Sequence, residues 1–169
     1  MIDDFLAHSE TEDAKLARAF AKLSGDARDS FGALLGRFDY THTGSLDADE
    51  RALARRVLTL MHTPSGKGLE LLVSILDYLD VNENQKLEHT ELNLAVEILE
   101  MFCKADSVNN TLSARELEML HAVLKSRDPA GRGTLDEAAR LELRDALWDP
   151  DAFLAREKQH NPALAALLA

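Results

Sequence analysis

Phe31, Leu34, Leu35 and Phe38 stand at i, i+3, i+4 and i+7. A chain patterned in this way gathers its apolar side chains on one stripe only as a helix. Helical spacing returns in Leu53, Val57, Leu58 and Met61, and again in Leu69, Leu72, Val73, Leu76 and Leu79. It continues through Leu117, Leu120 and Leu124, then Leu141, Leu143, Leu147 and Trp148. Runs of β-branched residues are absent, and Ala, Leu, Glu and Arg dominate, all good helix formers. The expectation is an all-α protein of about seven to nine helices. Ser9 with Glu12, and Asp26 with Asp29, read as helix starts divided by Gly25. Thr63-Pro64-Ser65-Gly66 reads as a breaker. The segment 89–104 carries Leu92, Ala95, Val96, Leu99 and Phe102 on one face and Leu94, Ile98 and Met101 on another, which predicts a central helix packed on two sides.

Charge narrows the partners. The 169 residues hold 30 Asp and Glu against 19 Lys and Arg, a net charge of −11. That field repels nucleic acid and anionic membrane alike. No apolar run approaches the ~20 residues of a membrane span. The single cysteine, Cys103, excludes an internal disulfide and a Cys-rich zinc site, and reads as a small core residue. The opening Met-Ile-Asp-Asp-Phe-Leu has neither a basic nor an apolar leader, so the expected location is cytoplasmic. Trp148 reads as a packing anchor.

The polar stretches between helices resemble one another. Asp39-Tyr40-Thr41-His42-Thr43-Gly44-Ser45-Leu46-Asp47-Ala48-Asp49-Glu50 lies between two amphipathic helices. It has oxygen-bearing side chains at offsets 1, 3, 5, 9 and 12 and glycine at the turn. Asp80, Asn82, Asn84, Glu88 and Glu91 fall into the same frame around Lys86. Calcium, a hard cation, takes about 6–8 oxygens, and alternate residues of a tightly turned loop can aim them at one centre. On these matches the chain resembles the EF-hand superfamily, in particular the calmodulin-like branch that includes acidic bacterial calcium-binding proteins. The likeness is good from Asp26 to Lys104 and weak from there to Trp148.

The resemblance implies two calcium sites. One would use Asp39, Thr41, Thr43, the Ser45 carbonyl, Asp47 and Glu50. The other would use Asp80, Asn82, Asn84, the Lys86 carbonyl, Glu88 and Glu91. Mg2+ would compete for the same oxygens. Thr41 and Thr43 replace commoner Asp or Asn, leaving three carboxylates in the first loop, and fewer charged ligands weaken affinity. The second loop has better ligands but Gln85 where the family prefers glycine, at a cost of about 1 kcal/mol. It is expected to be the stronger site. The resemblance also implies backbone pairing of Leu46 with Leu87 and of Leu112 with Leu135.

Two further loops have lost their chelating ends. Loop 105–116 begins with Ala105, and Ser113 with Glu116 reads as a plain capping box. Loop 128–139 keeps Asp128 and Asp136 but has Arg132 inside and Ala139 at the end, with Gly131 and Gly133 as turn formers. The chain therefore divides into an N-terminal helical extension (1–25), an EF-hand pair (26–104), a degenerate EF-hand-like pair (105–148) and a tail (149–169). Only one helix fits between loops 80–91 and 105–116, so the helix at 89–104 serves both.

The six histidines form no HxH, HxxxH or HExxH pattern, and neither a nucleophile elbow nor a phosphate loop appears. Enzymatic activity is not expected. The residues leave two classes of function open. One is an intracellular calcium-binding protein, a sensor or regulatory module with a protein or peptide target in an apolar groove, or a buffer. The other is a structural or protein-interaction scaffold that uses an EF-hand architecture with little or no calcium regulation. Four methionines speak against an adaptable Met-lined groove. Leu164, Leu167 and Leu168 share a face, so the tail is expected to be helical only if that face is buried.

Overall fold

The computed structural model describes residues 1–61, 64–80, 89–103 and 112–168. It is all-α: ten helices and no strand among the described residues. In chain order they are α1 (Ile2–Glu12), α2 (Ala14–Ala21), α3 (Gly25–Phe38), α4 (Ala48–Leu58), α5 (Gly66–Tyr78), α6 (His89–Cys103), α7 (Ala114–Ser126), α8 (Glu137–Ala146), α9 (Pro150–Glu157) and α10 (Pro162–Leu168).

Caps explain most boundaries. Asp13 Oδ1 accepts the Leu16 amide and opens α2, while Ser65 Oγ accepts the Gly68 amide and opens α5. Asp136 and Asp149 cap α8 and α9 in the same manner, the latter with Pro150 in the first turn. Each cap satisfies an amide that the helix leaves without an internal partner. The N-terminal break differs from the sequence expectation. Ser9 lies buried inside α1, and the chain turns four residues later at Asp13. Asp26 likewise lies in the first turn of α3, which follows Ser24.

One apolar core runs from Phe5 to Leu164. In it α5 packs most extensively on α3 and next on α7. The N-terminal helices join through aromatic contacts: Phe31 of α3 lies 5.9 Å from Phe5, edge to face, and 4.9 Å from Phe20. Helix α6 is buried on both expected faces, with Leu92, Ala95, Val96, Leu99 and Phe102 on one and Leu94 and Ile98 on the other. It packs on α4 and α8. Cys103 is buried in the same core.

The tail is part of the fold. Helix α10 packs on α7, with Leu164 fully buried and Leu167 and Leu168 against the core. Asn161 binds it at both ends of its amide: Nδ2 donates to the Ala122 carbonyl at 3.3 Å, and Oδ1 accepts the Leu164 amide at 3.1 Å. The Arg115 guanidinium reaches the Leu167 carbonyl at 2.8 Å. Nearby, Arg127 lies over the Phe153 ring, 5.4 Å from its centre, and pairs with the buried Glu157.

Candidate metal centre

Helices α3 and α4 flank the loop 39–50, and that loop closes on itself. Asp39 and Glu50, its first and last residues, are both fully buried. Asp39 accepts the amides of Thr43 at 3.1 Å and Gly44 at 2.9 Å. Glu50 Oε2 accepts the Thr41 amide and hydroxyl, each at 2.9 Å, and that hydroxyl lies 3.5 Å from Asp39 Oδ1. The two buried carboxylates thus converge on Thr41. Asp47 turns to a different task, forming a reciprocal capping box with Glu50 at the start of α4. The Thr43 hydroxyl donates to the Ser45 carbonyl at 2.7 Å. Gly44, at the expected turn, has a φ of 86°, and His42 adopts 58°, a left-handed conformation that costs a non-glycine residue about 1 kcal/mol.

Loop 128–139 repeats this geometry. Asp128 accepts the amides of Arg132 at 2.9 Å and Gly133 at 2.8 Å, the same two offsets that Asp39 serves. Gly131 and Gly133 take positive φ where His42 and Gly44 do. The turn therefore forms on a leading Asp and two left-handed residues, whatever stands at its far end.

Of the second loop's candidate ligands, Asp80 and Glu91 are described, and both are buried. Asn82, Asn84, Lys86 and Glu88 lie outside the described residues, as do Leu87 and most of loop 105–116. The described residues that border the first two loops are tied together. Arg37 at the end of α3 grips Asp77 at the end of α5 with two hydrogen bonds of 2.8 and 3.3 Å. The Tyr40 ring stacks on His89 at 5.0 Å. Burial, then Asp47, Asp49 and Glu50, raises the Tyr40 pKa above its ordinary value.

The pairing of the degenerate loops is not the expected one. The Leu135 amide donates to the Tyr78 carbonyl at 2.7 Å, and the Leu112 amide to the Leu60 carbonyl at 2.6 Å, so neither donates to the other. Thr134 Oγ1 donates to the Asp80 carbonyl at 2.6 Å, and Arg140 Nη1 to that of Leu79 at 3.0 Å. Loop 128–139 therefore grips the end of α5 and the start of the second loop. One-dimensional spacing pairs the two leucines with each other, but in the fold Leu112 bonds to the turn that follows α4 and Leu135 to the end of α5. Ser113 and Glu116 form the expected capping box.

Among the described residues, no group of three or more His, Cys, Asp or Glu is arranged to hold a metal ion. The all-oxygen donor set of loop 39–50 suits a hard cation in type. Its oxygens are engaged by the loop's own N–H and O–H groups, and a cation would require Thr41 and Thr43 to turn their protons away from Glu50 and Ser45. No helix of the described residues is long and apolar enough to cross a membrane. No family model, curated protein or solved structure matches the chain, so the EF-hand likeness rests on the loop residues themselves.

Burial also marks a pH-sensitive point beside this region. His121 of α7 meets the Tyr78 ring edge to face at 5.7 Å. Burial, and then Lys125, lowers its pKa from the ordinary 6.5. The unfolded chain therefore takes up a proton at a higher pH than the folded one does. This contribution to stability is present above about pH 6.5 and is lost as the pH falls through the folded-state value. Denaturant midpoints at pH 8 and pH 5.5 should differ more in the native chain than in His121→Gln. An equal difference in both would remove His121 from the account.

Proposed function

We propose that this chain binds calcium through loops 39–50 and 80–91 and acts as a calcium sensor, regulatory module or buffer. One observation carries the reading. Six of the chain's acidic residues are buried among the described residues: Asp39, Glu50, Asp80, Glu91, Asp128 and Glu157. Glu157 is accounted for by Arg127. The other five occupy the first or twelfth position of a loop in the EF-hand frame, and the two loops with a carboxylate at both ends are the ones with the full ligand set. Burying a carboxylate is costly unless hydrogen bonds compensate it, and Asp39, Glu50 and Asp128 are each held by donors of their own loops, so the chain keeps its buried acids at the positions where EF-hand ligands stand. Asp39, Thr41, Thr43, the Ser45 carbonyl, Asp47 and Glu50 would hold one ion. Asp80, Asn82, Asn84, the Lys86 carbonyl, Glu88 and Glu91 would hold the other. Bound calcium supplies charge neutralisation to these carboxylates, and no catalytic step is assigned to it.

A second reading has its own support. Loop 128–139 keeps the turn while lacking the terminal carboxylate, and it clamps Tyr78 and Asp80, with Arg140 just beyond it holding Leu79. By that standard the whole array is an interaction scaffold, indifferent to calcium.

Calorimetric titration separates the two. The calcium reading expects about two ions, the tighter one at 80–91. At ~100 Kd each bound ion adds about 2.7 kcal/mol of stability. Glu91→Gln should abolish the tighter site and that increment, and Glu50→Gln the weaker one. Absence of both heat and thermal stabilisation at millimolar calcium favours the scaffold.

A further inference from the structure

Trp148, the one tryptophan in the chain, follows α8 and is 87% exposed. The sequence predicts a packing anchor there, and the structure corrects this. Trp148 stops the apolar pattern of α8 one residue past the buried Leu147, where the chain turns toward Pro150 and α9. An indole left in water forgoes a large gain from burial, and tryptophan is enriched where proteins meet.

The side chain borders a recess of about 470 Å³ between α6 and the α8–α9 turn, lined by Glu97, Glu100, Met101, Leu147, Trp148 and Pro150. Leu147 and Met101 make its apolar part, and two carboxylates one turn apart on α6 make its polar edge. Glu100 already binds the guanidinium of Arg56. Glu97 forms no ion pair among the described residues. The fold uses the matching aromatic chemistry elsewhere, laying Arg127 over Phe153.

The geometry points to a docking surface for a protein partner that presents a lysine or arginine. The cation would lie over the Trp148 indole with its head at Glu97 and its stem along Met101. Charge selects this occupant. A second copy, a nucleic acid or an anionic membrane would each bring negative charge to a chain of −11, whereas a basic segment is attracted over distance. A cation over an indole gains more as the contact is desolvated, and a partner seated over the exposed Trp148 would exclude that water.

The test uses the full chain and a synthetic lysine–leucine amphipathic peptide, with the same peptide carrying glutamate in place of lysine as control. Trp148 is its own reporter: its emission should shift to the blue and saturate with the lysine peptide, and not respond to the glutamate one. By calorimetry, Trp148→Ala and Glu97→Gln should each weaken binding about tenfold. Asp26→Asn, which removes the same charge from the start of α3, should leave it unchanged. Truncation at so exposed a side chain should leave the melting temperature intact, and Glu97→Gln gives an independent reading. Equal affinity in all variants would reduce the effect to bulk charge and overturn the site. A blue shift that grows with protein concentration alone, with dimers in sedimentation, would make a second copy the occupant and also overturn it.

Discussion

Replacing Phe31 with alanine should destabilise the protein by about 3–5 kcal/mol, the range for truncating a buried aromatic. Phe31 is fully buried and touches one ring from α1 and one from α2. Against a total stability of roughly 5–15 kcal/mol for a domain, the loss is large. It should appear as a lower denaturant midpoint at an unchanged slope. Phe31→Leu keeps much of the volume and should cost visibly less. If both cost under about 1 kcal/mol, the aromatic cluster is not what seats the N-terminal helices.

Removing residues 161–169 should cost about 2–4 kcal/mol, on the scale of losing a buried leucine together with its local hydrogen bonds. The deletion strips Leu164 from α7, releases the Ala122 carbonyl from Asn161 and frees Arg115 from Leu167. A seven-residue helix is unstable alone in water, so α10 contributes only through this contact. An apolar dye should bind the shortened chain more strongly, and more so with calcium if helix opening accompanies binding. Unchanged dye binding and melting temperature would mean that the α10 contact adds no stability.

Much of this architecture was legible in the residues, because helical periodicity and capping act over a few positions. The stripe of Phe31, Leu34, Leu35 and Phe38, the two buried faces of α6, and the glycines at 44, 131 and 133 all emerge from local rules. What was not legible depends on competition. Ser9 and Asp13 could each begin a helix, and in the fold Asp13 caps α2 while Ser9 is buried inside α1. Leu112 and Leu135 have backbone partners set by where α4 and α5 end, which no spacing within the loops records. In the candidate site, the sequence placed Asp39, Thr41 and Glu50 in one loop, and the structure brings them together. It could not say that Asp47 would be occupied as a cap. Trp148 continues a helical pattern on paper, and only the turn into α9 puts it in water.

The position of α5 has a consequence for how the chain is made. Its leucines at 69, 72 and 76 end fully enclosed, but their two neighbours, α3 and α7, come from opposite sides of it in the chain. During synthesis α3 is available as soon as α5 leaves the ribosome, whereas α7 has yet to be translated. At roughly 5–20 residues per second, the stretch from α5 to the end of α7 takes several seconds to emerge. For that interval the nascent chain offers one leucine-rich side of α5 to whatever is nearby, so the growing polypeptide has a greater need of chaperones than the finished one.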